Sequence, residues 1–129
     1  MASSCPFCPP PEDRLVDQNQ LAIAFFDRFP VSDGHVLVVP KRHVASWFDA
    51  TAEERAACLE LVDRAKARLD ETNRPDGYNL GINVGSAAGQ TVFHLHLHVI
   101  PRYAGDVPDP RGGVRFVIPD KANYLRHNE

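Results

Sequence analysis

The residues with the most chemical capacity in this 129-residue chain stand in one run, Gly89-Gln90-Thr91-Val92-Phe93-His94-Leu95-His96-Leu97-His98-Val99-Ile100-Pro101. Near neutral pH a histidine serves as nucleophile, acid, base or metal ligand. Strict alternation with apolar residues predicts a β-strand, the fifth of the chain. His94, His96 and His98 would line one face, with Leu95, Leu97 and Val99 turned to a core. Neighbouring histidines would then sit about 6.6–6.8 Å apart along the backbone, close enough to share a phosphate-sized ligand. The outer pair, roughly 13 Å apart by the same rise, is too widely spaced for one tetrahedral zinc with bonds of about 2 Å. Separate roles are therefore expected for the three. In a chain with six histidines, this regular spacing argues against accident.

A second group able to do chemistry lies at Cys5-Pro6-Phe7-Cys8, followed by Pro9, Pro10 and Pro11. The prolines predict an extended arm. By spacing, Cys-x-x-Cys is half of a zinc site; taken alone it reads equally as two inert thiols on a frayed terminus. A redox Cys-x-x-Cys opens a helix after a strand, and here no strand precedes it. The third cysteine, Cys58, falls in a helical pattern and is expected to be a small buried hydrophobe. An odd count without a recognisable leader speaks against a disulfide framework.

Composition limits the classes open to the chain. Its length suits one domain spanning 1–129, with 43% hydrophobic and 24% charged residues. No apolar run approaches the ~18–20 residues of a transmembrane helix, and Met1 to Pro6 lack a basic segment followed by an apolar one. A cytoplasmic protein with no membrane or nucleic-acid partner is expected. The net charge of −3 gives no basic field for nucleic acid, so an anionic substrate must be held by local groups.

The elements that would position these residues follow from periodicity and punctuation. Short strands are predicted over Arg14 to Asp17 and Leu21 to Phe26, with Asn19-Gln20 as the turn. His35 to Val39 is a nearly continuous apolar strand after the turn Ser32-Asp33-Gly34, hence central and buried. Lys41 to Ala50 is expected to hold a short helix. Thr51 and Glu54 form a capping box for the main helix, Ala52 to about Glu71. Its apolar positions are Ala56, Leu59, Leu61, Val62, Ala65 and Leu69. Tyr78 to Val84 is the fourth strand. Gly85-Ser86-Ala87-Ala88-Gly89 is a small-residue loop that lets backbone amides approach an anion. After Pro101, Arg111 and Arg115 flank two glycines and read either as a phosphate clamp or as part of a solvated loop. Phe116-Val117-Ile118-Pro119 is expected to reach the core, and the tail 120–129, with an exposed His127, to be partly helical or mobile. Strands, one long helix, then strands give an α+β fold with a mostly antiparallel five-stranded sheet, one long helix and one short helix.

His94-Leu95-His96-Leu97-His98-Val99-Ile100 resembles the signature of the histidine triad (HIT) family, His-φ-His-φ-His-φ-φ with φ apolar. Gly34-His35-Val36-Leu37-Val38-Val39-Pro40-Lys41-Arg42-His43 is similar to the family's central strand and following turn, and Ala88-Gly89-Gln90-Thr91-Val92 to the segment leading into the triad. The likeness runs in matching order from about Cys5 to Gly105.

The resemblance implies a HIT-like fold and a nucleotide hydrolase. His96 would attack the α-phosphorus of a bound purine nucleotide, and water would then hydrolyse the nucleotidyl-histidine. His98 would contact phosphate and leaving group, His35 would support the triad, and a carbonyl near His94 would hold the proton on the far nitrogen of His96. Asp27 would bind the ribose hydroxyls. Asn83, Gly89, Gln90 and Thr91 would surround the phosphates, while Phe25 and Ile23 would sandwich the base. In a zinc-containing branch, Cys5, Cys8, His43 and His94 would form a closed structural site, with 1–12 as its arm and 102–129 as a C-terminal loop and tail. That zinc would supply order rather than rate chemistry. A homodimer through the main helix and fourth strand is implied. Candidate substrates are dinucleoside polyphosphates, suggested by the segment 104–115, and nucleoside phosphoramidates, suggested by the zinc ligands. A nucleotidyltransferase or phosphorylase, and a non-catalytic nucleotide-binding module, are the alternatives; related transferases typically carry Gln where this chain has His98.

Overall fold

The computed structural model describes residues 5–125. Five strands, β1 (Leu15–Gln18), β2 (Ala22–Phe26), β3 (Val36–Pro40), β4 (Gly77–Ile82) and β5 (Leu97–Arg102), form one antiparallel sheet in the order β1-β2-β3-β5-β4. One long helix, α1 (Ala52–Thr72), crosses a single face. The expected α+β architecture is thus the one formed.

Strand periodicity divides the sheet's side chains between two environments. Ala22, Ala24, Val36, Val38, Leu97 and Val99 join Cys58, Leu61, Val62, Ala65 and Leu69 of α1 in the main core. Ile23, Phe25, Leu37 and Val39 point to the other face, where Phe7 of the N-terminal arm packs on them. Cross-strand partners share a face, so the pairs Leu37↔His98 and Gly81↔His98 put His98 on the arm side, opposite α1. Gly81 adds no side chain there, and a Cβ at that position would meet nothing within 4 Å.

The start of α1 is fixed as expected: Thr51 Oγ1 accepts from Glu54 N, and Glu54 Oε1 accepts from Thr51 N. Glu54, Cys58, Leu61, Val62, Ala65 and Leu69 make the buried stripe. Ala56 and Leu59 fall off it and are exposed, because they are rotated away from this row of three- and four-residue steps. Cys58 is 1% exposed, and burial pushes its thiol up to about 12, so it packs as an inert hydrophobe. Among the described residues no helix is long and apolar enough to cross a membrane.

Several local expectations are corrected. Only His98 of the three histidines lies in β5, which starts at Leu97. Pro40, next in line on β3, has no N–H to extend the ladder. Its carbonyl accepts from the His94 side chain at 2.8 Å, while Leu95 N turns to Val44 O at 2.7 Å. The short helix of Lys41 to Ala50 is a single 3-10 turn, Trp47–Asp49. It is confined between two N-caps, Ser46 and Thr51. Phe116, Val117 and Ile118 do not reach the core: they are 48%, 78% and 57% exposed. Their segment forms 3-10 turns, Gly113–Val117 and Pro119–Lys121, tied down instead by Arg115, whose guanidinium donates to the carbonyls of Lys121 and Ala122. Arg111 is engaged with Asp109. Both arginines are thus engaged within the C-terminal segment. His127 lies outside the described residues.

Candidate active site and metal centre

Two elements of the loop network carry the histidines. The turn before β3 contains Gly34, at φ 89° with Leu69 Cδ2 only 2.7 Å from where a Cβ would be, so the close approach to α1 requires glycine. It delivers His35, 3% exposed, to the start of β3. After β3, Arg42 forms a bidentate pair with buried Glu54 at 2.8 and 2.9 Å, pinning the turn that carries His43 to the start of α1. That pair and the Thr51 N–H hold the Glu54 carboxyl down to about 2.

The proton positions of three histidines follow from their partners. His35 Nδ1 accepts from Val31 N at 3.2 Å, so its proton sits on Nε2, which donates to His98 Nδ1 at 3.0 Å. His98 must then carry its own proton on Nε2. Burial first, then the neighbouring His96 and His35, push His98 down to about 4; burial also lowers His35, partly offset by Asp27. Both are neutral at physiological pH, and His98 Nε2–H is a fixed donor. His96 Nδ1 donates to the His94 carbonyl at 2.9 Å, leaving the Nε2 lone pair free. Half-buried His96 stands with its ring 5.2 Å from that of His98 and 5.5 Å from Phe7.

Asp27 follows β2, with Oδ2 3.5 Å from His35 Nε2 and Oδ1 accepting from Phe29 N at 3.0 Å. Asp27, His35 and His98 bring their donor atoms within 4.8 Å of one another. The Val31 amide nevertheless keeps the proton on His35 Nε2, so this is a hydrogen-bonded relay and not a cation site.

The arm supplies the other cluster. The donor atoms of Cys5, Cys8, His43 and His94 all lie within 4.8 Å of one another. His94 Nδ1 is 3.4 Å from Cys5 Sγ and 3.3 Å from Cys8 Sγ, and His43 Nδ1 is 3.4 Å from Cys8 Sγ. A tetrahedral ion with metal–sulfur bonds near 2.3 Å and metal–nitrogen bonds near 2.0 Å separates such ligands by about 3.5 Å. The group fits. His94, fully buried, donates its Nε2 proton to Pro40 O at 2.8 Å, which orients the ring and leaves the Nδ1 lone pair facing the thiols, available to a metal.

The glycine loop immediately precedes the triad in the chain. Gly89 is in the left-handed region at φ 93°, after a 3-10 turn at Ser86–Ala88. Gln90, 4% exposed, accepts from Gly85 N at 2.8 Å and donates to the carbonyls of Ala45 and Val92. Its side chain braces the loop rather than facing the open side, a use that its amide in a tight glycine turn could have signalled. Thr91 is exposed. The Ile82↔Leu97 register carries half-buried Asn83 level with His96. Phe25 and Ile23 are 0% and 7% exposed beneath Phe7, so they form no open base sandwich. The residue missed from sequence is Phe7, hidden as the unremarkable x of Cys-x-x-Cys. A separate cleft of about 310 Å³, lined by Tyr78, Asn79, Arg102 and Asp106 among others, is braced by Arg102 donating to both Asp106 and Asn79.

Comparison with known proteins agrees with the geometry. The HIT domain model matches residues 11–105. An uncharacterized HIT-like protein of Mycoplasma genitalium is 41% identical over 105 residues, 78% of this chain and 74% of that protein. An AP-4-A phosphorylase of Mycobacterium tuberculosis is 36% identical over 96 residues, covering 74% of this chain but 49% of that enzyme, so the chain matches only about half its length. A Zn-bound histidine triad family protein from Mycobacterium smegmatis superimposes with a TM-score of 0.71 at 34% identity, covering 98% of each chain. With a central strand leading to a paired His35 and His98, and a Cys/His cluster suited to the zinc-containing branch, the chain belongs to the HIT family.

Proposed function

We propose that this protein is a nucleotide hydrolase acting at the α-phosphate of dinucleoside polyphosphates or nucleoside phosphoramidates. The observation that carries the reading is the 2.9 Å hydrogen bond from His96 Nδ1 to the His94 carbonyl. It makes Nε2 a free nucleophile and stabilises the positive charge that the ring gains on attack. The Nε2–phosphorus bond forms as the bond from phosphorus to the leaving group breaks. Water then attacks the phosphorus, the Nε2–phosphorus bond breaks, and the proton lost by water passes to solvent. His98 Nε2–H hydrogen-bonds the phosphate and leaving group, held in that tautomer by His35. Asp27 takes the ribose hydroxyls; Asn83, Thr91 and the Gly89 and Gln90 backbone surround the phosphates.

Cys5, Cys8, His43 and His94 would hold zinc. Two thiolates and two imidazoles close its coordination, so it supplies a cross-link between arm, turn and triad, not a reacting group. A second copy of the chain is the proposed partner, through α1 and β4. Support comes from the open edge of β4, with Leu80 51% exposed, and from Leu59 of α1 at 50%.

Phosphorolysis is the second reading, favoured by the AP-4-A phosphorylase relative; inorganic phosphate would then replace water. Incubation with diadenosine tetraphosphate and with adenosine phosphoramidate, followed by chromatography, separates the readings. Hydrolysis yields AMP and ATP from the tetraphosphate, and AMP from the phosphoramidate. Phosphorolysis yields ADP and ATP only when phosphate is added. Binding without conversion of either compound contradicts both.

A further inference from the structure

The arm holds one residue that neither the metal site nor the reaction accounts for. Phe7 lies between the two thiols, in a turn closed by Cys8 N donating to Cys5 O at 3.2 Å and by Phe7 N donating to Cys5 Sγ at 3.4 Å. With its backbone set by that turn, the half-buried ring stacks tilted on Phe25, centroids 5.3 Å apart. Its environment also includes two of the triad histidines. The His94 ring meets it at 5.8 Å and 77°, and the His96 ring at 5.5 Å and 67°.

Among the described residues, the His96 side chain makes one hydrogen bond, Nδ1 to the His94 carbonyl. A single bond of that kind leaves the imidazole free to rock, because the terminal torsion of histidine is broad. Two aromatic edges remove that freedom: His98 at 5.2 Å and 65°, and Phe7. Edge-to-face packing favours such near-perpendicular rings. His98 is in turn fixed by His35 from the sheet, whereas Phe7 is fixed by the cysteines on either side of it.

We propose that Phe7 is a positioning residue for His96, and that the Cys5–Cys8 metal turn serves to set it in place. The arm then reaches His96 by two routes, the Phe7 ring and the His94 carbonyl, both anchored in the same four-residue cluster. The proposal rests on His96 being the nucleophile. It assigns to the metal centre an effect on the geometry of that nucleophile, beyond the stability that a closed site provides.

The test uses the full chain loaded with metal, in wild type and in Phe7→Ala, Phe7→Leu and Phe7→Tyr. Zinc content and thermal melting are recorded for each, and diadenosine tetraphosphate is the substrate. A misplaced nucleophile slows chemistry more than binding, so kcat falls ~10- to 100-fold in Phe7→Ala and Phe7→Leu while KM changes little. Phe7→Tyr, which keeps the aromatic edge, restores kcat. Nitrogen-15 NMR of the imidazoles at one pH supplies a readout independent of turnover. Wild type shows His96 as a single Nδ1–H tautomer; Phe7→Ala, and wild type stripped of metal, both show a mixture. Should Phe7→Ala fail to fold, Phe7→Leu decides. Unchanged kcat and an unchanged His96 signal in a variant that retains zinc overturn the proposal. If the wild type turns over no nucleotide, the hydrolase reading fails by itself, and the tautomer signal still decides whether Phe7 orients His96.

Discussion

Three histidines that look equivalent in sequence are distinguished by what each nitrogen touches. His94 gives one nitrogen to Pro40 O and the other to the thiols; His96 gives one to a carbonyl and keeps the other free; His98 accepts from His35. The last bond is the most exposed to a direct test. In His35→Phe, His98 Nδ1 loses its donor and either nitrogen can carry the proton, so the fixed Nε2 donor proposed to meet the substrate is lost. Steady-state kinetics are expected to show kcat reduced ~10²-fold or more, on the scale of losing one positioned catalytic hydrogen bond. Wild-type kcat in a folded His35→Phe protein would contradict the relay. The types and spacing of these residues, and the match to the family's signature, were legible in the sequence. Their tautomers were not, because they depend on backbone groups such as Val31 N, Pro40 O and the His94 carbonyl that no side-chain pattern encodes.

Among the elements, the capping box and the buried stripe of α1 could be read from Thr51, Glu54 and the helical period. The early start of the irregular segment before β5 could not. Alternation alone continues the strand through His94, and only the missing N–H of Pro40, a residue on another strand, stops the ladder. Nor did the capping box reveal that Glu54 has a second partner, Arg42, which ties α1 to the turn bearing His43. That pairing makes a pH prediction. The Glu54 carboxyl titrates near 2 when folded, against an ordinary value of 4.5. Its contribution is therefore complete above about 4.5 and is lost as pH falls through about 2. Melting temperatures of wild type and Glu54→Gln should differ most at neutral pH and converge as pH falls across that window. A gap that stays constant from pH 7 down to 2 would show that the charge on Glu54 is not what stabilises the junction.

For the whole molecule, the sheet separates two tasks. α1 and the core it covers hold the fold on one face; the arm packs on the other, to which His98 also points. The class of fold was legible from element order, and the Cys5, Cys8, His43, His94 group from the family's pattern, although its members are up to 89 residues apart. What remained illegible was long-range packing of the segments that flank the domain: Phe7 on the triad, and Phe116 to Ile118 left outside the core. The open β4 edge carries its own prediction. On the proposed dimer, wild type should sediment as a dimer and Leu80→Arg as a monomer; a monomeric wild type or a dimeric Leu80→Arg would contradict a contact through β4. The central claim, that His96 takes the nucleotide as a covalent intermediate, is tested most directly by rapid quenching of the enzyme with diadenosine tetraphosphate and intact-protein mass spectrometry. The expected result is an acid-labile adenylyl adduct that maps to His96 and is missing from His96→Ala, which still binds nucleotide. Full turnover by His96→Ala, or an adduct on another residue, would contradict it.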